Sequence, residues 1–304
     1  MSSFEVQILG CGSATPTLNH HPTSQVLRIR EKLFMVDCGE GTQLQMRKYK
    51  VNFSRLSHIF ISHLHGDHCF GLIGLISTLD LLGRTGDVFI HAEPSLKPIL
   101  QPQIDFFAAH LAFQVHFEDF NPRASAVIYD DRSLKVTSIP LVHRIACAGF
   151  LFEEKQTPAH IIPEMIAFHQ IPVKHIADIK AGADYVTPEG KTIPNNHLTR
   201  PSEPAKRYAY CSDTAYNEKI IPLVEGVDLL FHESTFMEQD ALKAKKTFHS
   251  TTKQAATIAR KAQVKELMLG HYSARYNQLE PLLLEAKAIF PNTFLANEGV
   301  MKKL

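Results

Sequence analysis

The sequence has no Cys-x-x-Cys pair, no apolar run long enough to span a membrane, and almost no net charge. Each absence removes a class of protein. Its five cysteines, at 11, 38, 69, 147 and 211, are odd in number and scattered. That rules against a disulfide framework and predicts reduced, mostly buried thiols of a cytoplasmic protein. A cysteine-based metal site is not expected, and Cys69 is read as a packing residue. No run approaches the roughly 18 apolar residues of a membrane helix. Met1-Ser2-Ser3-Phe4-Glu5-Val6 lacks the basic and apolar regions of a secretory signal, so none is expected. With a formal charge of +1, any nucleic-acid binding must come from a local patch. No internal repeat or low-complexity tract occurs. The 304 residues are 44% hydrophobic, enough for one large domain with an ample core.

What is present is concentrated in Ser62-His63-Leu64-His65-Gly66-Asp67-His68. Three imidazoles and a carboxylate follow the apolar run Ile59-Phe60-Ile61, which reads as a buried strand. Borderline-soft divalent metals such as zinc take imidazole nitrogen and carboxylate oxygen. A strand that turns sharply at its end can aim neighbouring ligands at two points. The pattern therefore predicts the core of a two-metal hydrolytic site.

Short apolar runs at 4–9, 25–30, 33–37, 58–62, 87–92, 113–118, 126–130, 134–142 and 148–152 read as strands, with helices over 43–50 and 71–82. A second alternating set predicts strands at 207–211, 227–231, 266–270 and 293–296. Helices are predicted at 235–246, 251–262 and 278–289, with hydroxyl N-caps in Ser250-Thr251-Thr252. Two strand-rich sections suggest two packed sheets with helices on the outer faces. Residues 153–206 differ, holding seven of the 17 prolines and few sustained apolar runs. They read as an arm inserted into a single domain covering 1–304.

Two metals need further ligands, and these should also lie where strands end. His143 ends the run 136–142, Asp213 follows Tyr208–Ser212, and His271 follows Leu267–Gly270. Taken singly, each is a common loop residue. Together with the motif they fill two coordination shells.

Several blocks carry a family resemblance. They are Gly10-Cys11-Gly12-Ser13-Ala14-Thr15-Pro16, Val36-Asp37-Cys38-Gly39-Glu40-Gly41-Thr42-Gln43, the 62–68 motif and Cys211-Ser212-Asp213-Thr214. His232-Glu233-Ser234-Thr235-Phe236, His249-Ser250-Thr251-Thr252 and His271-Tyr272-Ser273-Ala274-Arg275-Tyr276 complete them. The chain resembles the metallo-β-lactamase superfamily and, within it, the ribonuclease Z family of tRNA 3′-processing endonucleases. The motif at 62–68 marks only the superfamily, whereas 249–252 and 271–276 are specific to the family.

The resemblance implies an α/β fold, the αβ/βα sandwich of the metallo-β-lactamases, with two Zn²⁺ per chain. It assigns His63, His65 and His143 to one metal and Asp67, His68 and His271 to the other, with Asp213 between them. It also implies a catalytic role for Asp67 toward water, for His249 beside the scissile phosphate, and for Glu233 as the residue orienting His249. Arg275 is implied to bind substrate phosphate. The expected reaction is removal of the 3′ trailer from precursor tRNA, leaving a tRNA 3′-hydroxyl and a 5′-phosphorylated trailer. The expected assembly is a homodimer in which one subunit's arm clamps tRNA for the other's site. Lys174, Lys180, Lys191, Arg200, Lys206 and Arg207 give the arm positive charge for backbone contact. Its segment 171–182 keeps Ile-Pro and Lys-x-Gly but lacks the family's Gly-Pro pair. Two other readings compete: a phosphodiesterase of the same fold acting on small phosphodiesters or general RNA, and an inactive RNA-binding protein.

Overall fold

A computed structural model describes residues 4–304. The chain divides into two compact units, one made of Asp131–Leu134 and Glu154–Ala205, the other of the rest of the described chain. The larger unit contains two seven-stranded sheets. In the first, the order is Met301–Lys303, Phe4–Gly10, Ser24–Ile29, Lys32–Cys38, Leu56–Phe60, Val88–Ala92 and Val115–Asp119. The second runs Thr293–Leu295, Glu266–Gly270, Leu229–Glu233, Arg207–Cys211, Ala148–Glu154, Leu134–Pro140 and Val127–Asp130.

Strand Lys32–Cys38 shows why the sheets stack. After Lys32 every residue is buried, so both of its faces are covered. Leu33 and Met35 pack with Met46, Leu72, Leu75 and Ile76 from helices Thr42–Lys48 and Gly71–Leu81. Phe34 faces the second sheet, with its ring centroid 6.4 Å from Phe152 and 5.6 Å from Tyr129. Phe60 and Phe150 meet in the same layer at 5.5 Å. Full burial of such a side chain is worth about 1.5–3 kcal/mol. The result is the α/β sandwich that the two strand-rich sections predicted.

Strands Lys32–Cys38 through Val115–Asp119 are parallel to one another, as are Arg207–Cys211 through Thr293–Leu295. Ligands of such sheets bind beyond the carboxyl ends of the strands. The 62–68 motif, Asp213, Glu233 and His271 all lie at carboxyl ends.

Three differences from the sequence reading have a plain physical cause. Helix Leu96–Phe107 is absent from that reading, because Pro98 and Pro102 interrupt its pattern. Pro98 sits in the first turn, where no amide donor is needed. The helix predicted from 235 begins only after a 3₁₀ turn at Glu238–Asp240 and runs Ala241–Thr247. Ser234, Phe236 and Ser273 amides are bonded to Gly270, Ser250 and Thr235 carbonyls, which keeps 234–236 extended. Strand Met301–Lys303 is also absent from it, because its two lysines hide its pairing with Phe4–Gly10.

The smaller unit has its own core of Ile171, Ile179, Tyr185, Ile193 and Leu198. Prolines start its helices: Pro163 opens Pro163–Phe168, while Pro172 and Pro194 precede Val173–Lys180 and Asn195–Leu198. Two short ribbons, His160–Ile161 with Thr199–Arg200 and Tyr185–Val186 with Thr192–Ile193, complete it. Among the described residues, no helix is long and apolar enough to cross a membrane.

Candidate metal centre and active site

Strand Leu56–Phe60 delivers His63 and His65 before the chain turns into the short helix Gly66–Cys69 that carries Asp67 and His68. The turn needs close backbone packing. A Cβ on Gly39 would lie 2.6 Å from the Asp67 carbonyl oxygen, and one on Gly71 would lie 2.1 Å from that of Gly39. Asp37, Asp213 and His271 hold φ values of 57°, 54° and 60°. Left-handed backbone at non-glycine residues is costly and clusters at functional sites.

The predicted ligands converge into two groups, His63, His65, His143, Asp213 and Asp67, His68, His271, each with its donor atoms within 4.8 Å of one another. His65 Nδ1 lies 2.9 Å from His63 Nε2 and 3.2 Å from His143 Nε2. Asp213 Oδ2 faces this group, 3.6 Å from His63 and 3.7 Å from His143. Its Oδ1 faces the other, 3.2 Å from His68 Nε2 and 3.1 Å from His271 Nε2. Asp67 Oδ2 is 3.3 Å and 3.4 Å from the same two nitrogens. One carboxylate thus presents one oxygen to each group.

The donor chemistry fits cations. Burial and neighbouring imidazoles, His68 first among them, push His63 well below its ordinary pKa. Burial also lowers His65 and His143. A neutral imidazole keeps one ring nitrogen as a lone pair, which is the form a divalent cation binds. His68 Nε2 is buried without a hydrogen-bond partner although two carboxylate oxygens are close, so it aims between them. Burial opposes ionisation of Asp213, but His271, His68 and His63 outweigh it and hold the carboxyl well below the usual range.

The supporting side chains are where sequence reasoning falls short. Asp37 enters it only as one member of a resembling block. Its Oδ2 accepts from His68 Nδ1 at 2.7 Å, Ser62 Oγ at 2.9 Å and Tyr210 OH at 2.6 Å, and its Oδ1 accepts from the Ser62 amide at 2.8 Å. Burial opposes a charge on His68, but Asp67, Asp213 and Asp37 outweigh it and push its pKa up; with a cation bound, donation from Nδ1 would turn the Nε2 lone pair into the centre. Thr235 does the same for another ligand. Its hydroxyl is 2.9 Å from His271 Nδ1 and donates to Glu233 Oε2 at 2.7 Å. A carboxylate in an apolar strand is the signal that marks Asp37; nothing marks Thr235.

Glu233 is fully buried, and its Oε1 lies 2.8 Å from His249 Nδ1. Burial opposes a charge on His249, but the Glu233 carboxylate outweighs it and pushes the pKa up to about 9. The ring stacks on His271 at 5.3 Å and lies 5.2 Å from His143. A capping box at Thr251 and Gln254 starts helix Thr252–Lys261 just beyond it. His249, His65, Asp67, His143, Asp213 and His271 line one cavity of about 630 Å³.

Arg275 is placed differently. Its Nη1 is 2.7 Å from Asp240 Oδ1, its guanidinium lies over the Phe236 ring, and it does not line the cavity. Arg144 and Lys243 line it instead.

A two-sheet α/β sandwich with this His/Asp cluster at its strand ends defines a protein of the metallo-β-lactamase fold. Residues 197–272 match the family described as beta-lactamase superfamily domain, and residues 4–98 match Anti-Pycsar protein Apyc1. The fold is shared with human tRNase Z, short form (TM-score 0.70, 25% identity, 98% of each chain). It is also shared with the metallo-beta-lactamase fold protein YhfI from Bacillus subtilis (TM-score 0.70, 18% identity, 99% of this chain and 100% of the other). The chain is 58% identical to Ribonuclease Z of Parabacteroides distasonis over 99% of both chains. It is 59% identical to Ribonuclease Z of Phocaeicola vulgatus over 98% of this chain and 96% of the other. The chain belongs to the ribonuclease Z family and is a hydrolase of the endoribonuclease class.

Proposed function

We propose that the protein is a zinc-dependent endoribonuclease that removes 3′ trailers from precursor tRNA. The observation that carries this reading is His249, held from behind by buried Glu233, lining one cavity with members of the two ligand groups that Asp213 joins. His63, His65 and His143 would hold one cation and Asp67, His68 and His271 the other, with Asp213 serving both. When bound, such a pair supplies Lewis acidity to an in-line phosphoryl displacement and lowers the pKa of an attacking water.

The chain's own residues do the rest. Asp67 orients the attacking water toward phosphorus and accepts the proton it sheds. As the new P–O bond forms, the bond to the tRNA 3′-oxygen breaks. His249, with Nδ1 fixed by Glu233, is charged at neutral pH and presents its other nitrogen to the substrate. It stabilises charge on the phosphoryl oxygens and protonates the departing 3′-oxygen. The products are a tRNA 3′-hydroxyl and a 5′-phosphorylated trailer. Arg144 and Lys243 offer phosphate contacts at the rim, in place of the role expected of Arg275.

The smaller unit is the proposed tRNA-binding arm. Lys174, Lys191 and Arg200 are exposed on it, and Lys180 is half-buried. Arg207, by contrast, is 3.3 Å from Glu153, and Lys206 is 4.0 Å from Asp228. The enzyme in this reading works in the cytoplasm as a homodimer, which sedimentation at twice the 34.2 kDa chain mass would support. The deciding experiment is cleavage of end-labelled precursor tRNA, with and without chelator, mapping both new ends. A single chelator-sensitive cut leaving the stated ends is expected. Turnover of a small aryl phosphodiester with no site-specific tRNA cleavage would replace this reading with a general phosphodiesterase.

A further inference from the structure

We propose a separate mononuclear metal site, formed by Cys11, His20 and Glu298, for a borderline-soft divalent cation of the zinc class. Their donor atoms lie within 4.8 Å of one another, and none belongs to the Asp213-centred groups. His20 Nδ1 is 3.3 Å from Cys11 Sγ and 3.0 Å from Glu298 Oε2. One imidazole nitrogen carries either one hydrogen or one lone pair. Without an ion that nitrogen donates to the carboxylate, to which the Cys11 thiol is also hydrogen-bonded; an ion among the three would instead take a lone pair from each.

The dimensions suit zinc. Bonds of about 2.3 Å to sulfur and about 2.0–2.1 Å to nitrogen and oxygen at tetrahedral angles give edges of about 3.6 Å and 3.4 Å. The observed separations are a few tenths shorter, so small outward shifts would admit the ion. Sulfur, nitrogen and oxygen donors select a borderline-soft metal, and three protein ligands leave a fourth position open.

The surroundings already orient the ligands. The His21 amide donates to Glu298 Oε1 at 2.8 Å, leaving Oε2 to face the site. Thr17 Oγ1 accepts from the His20 amide at 2.9 Å and donates to the His20 carbonyl at 3.1 Å. Burial, then the Glu298 carboxylate, pushes the Cys11 thiol up, so metal binding there would release its proton to solvent.

The three ligands come from separate segments. Cys11 follows strand Phe4–Gly10, His20 precedes Ser24–Ile29, and Glu298 lies between Thr293–Leu295 and Met301–Lys303. The Cys11 carbonyl accepts from the Tyr272 amide at 3.0 Å, directly after His271. The ion would therefore brace the backbone behind a ligand of the catalytic centre. The expectation that cysteine takes no part in metal binding rests on spacing alone, which is blind to ligands brought together by folding.

Cobalt substitution tests this independently of the nuclease reading, because the His/Asp groups contain no sulfur. Protein prepared with Co²⁺ should show thiolate-to-cobalt charge-transfer absorption in the near-ultraviolet. Cys11→Ser should abolish the band and remove one cobalt per chain. Glu298→Gln should keep the thiol and weaken cobalt binding at least tenfold. Cys69→Ser should leave the band intact. Absence of the band in the unsubstituted protein would overturn the proposal and leave a hydrogen-bonded cluster. So would a band that survives Cys11→Ser or disappears with Cys69→Ser.

Discussion

The sandwich and the small unit solve opposite problems. In the sandwich, polar groups are buried and held several times over: Asp37 accepts four hydrogen bonds, and Glu233 binds Thr214, Thr235 and His249. In the small unit the core is a handful of apolar side chains, and Lys174, Lys191 and Arg200 stand at the surface. Chemistry that needs fixed donors is built where burial makes each unsatisfied group expensive. Recognition of a phosphate backbone needs only exposed charge at tolerable spacing. On the proposed function, the reaction belongs to the sandwich and the choice of RNA to the arm.

Substitutions can break or sharpen that division. The largest effect is expected at Asp213, whose two oxygens serve both groups. Asp213→Asn should lose bound metal together with all activity, read by elemental analysis and turnover; a variant retaining two metals would remove it from the bridging position. His249→Ala comes next. It should keep its metal and lose about 10²–10⁴-fold in turnover, the usual contribution of a positioned acid. Normal cleavage by this variant would end its catalytic assignment. Asp37→Asn should act one layer out, weakening metal binding by about 10–100-fold while saturating metal restores much of the rate. Competition with a chromogenic chelator would measure it, and unchanged affinity would reduce Asp37 to a packing role. The smallest effect is expected at Arg275. Held by Asp240 outside the cavity, it should change the rate on a small phosphodiester by less than about tenfold when replaced by alanine, a loss of under ~1.4 kcal/mol. A larger loss would return it to the phosphate.

How far the sequence can be read follows the same division. His63 to His68 stand within six residues, so local spacing announces them. His143, Asp213 and His271 are legible because apolar runs end just before them. Asp37 shows only as a carboxylate in an apolar strand and Thr235 not at all, because each acts through a partner distant in sequence. Cys11 and Glu298 are separated by nearly the whole chain, and no spacing rule joins them. Among the elements, the prolines of helix Leu96–Phe107 conceal its period, while periodic runs such as Thr252–Lys261 are plain in the sequence. In the arm, composition indicates an insertion, but its helices depend on prolines used as starters, which read locally as breakers.

The most direct test of the division is to reverse the arm's exposed charge. Lys174→Glu, Lys191→Glu and Arg200→Glu combined should raise KM for precursor tRNA and flatten its salt dependence, by about 0.9 in slope for each duplex phosphate no longer neutralised. Turnover of a small aryl phosphodiester at the same centre should stay unchanged. Equal losses on both substrates, or none on precursor tRNA, would contradict the assignment of tRNA choice to the arm.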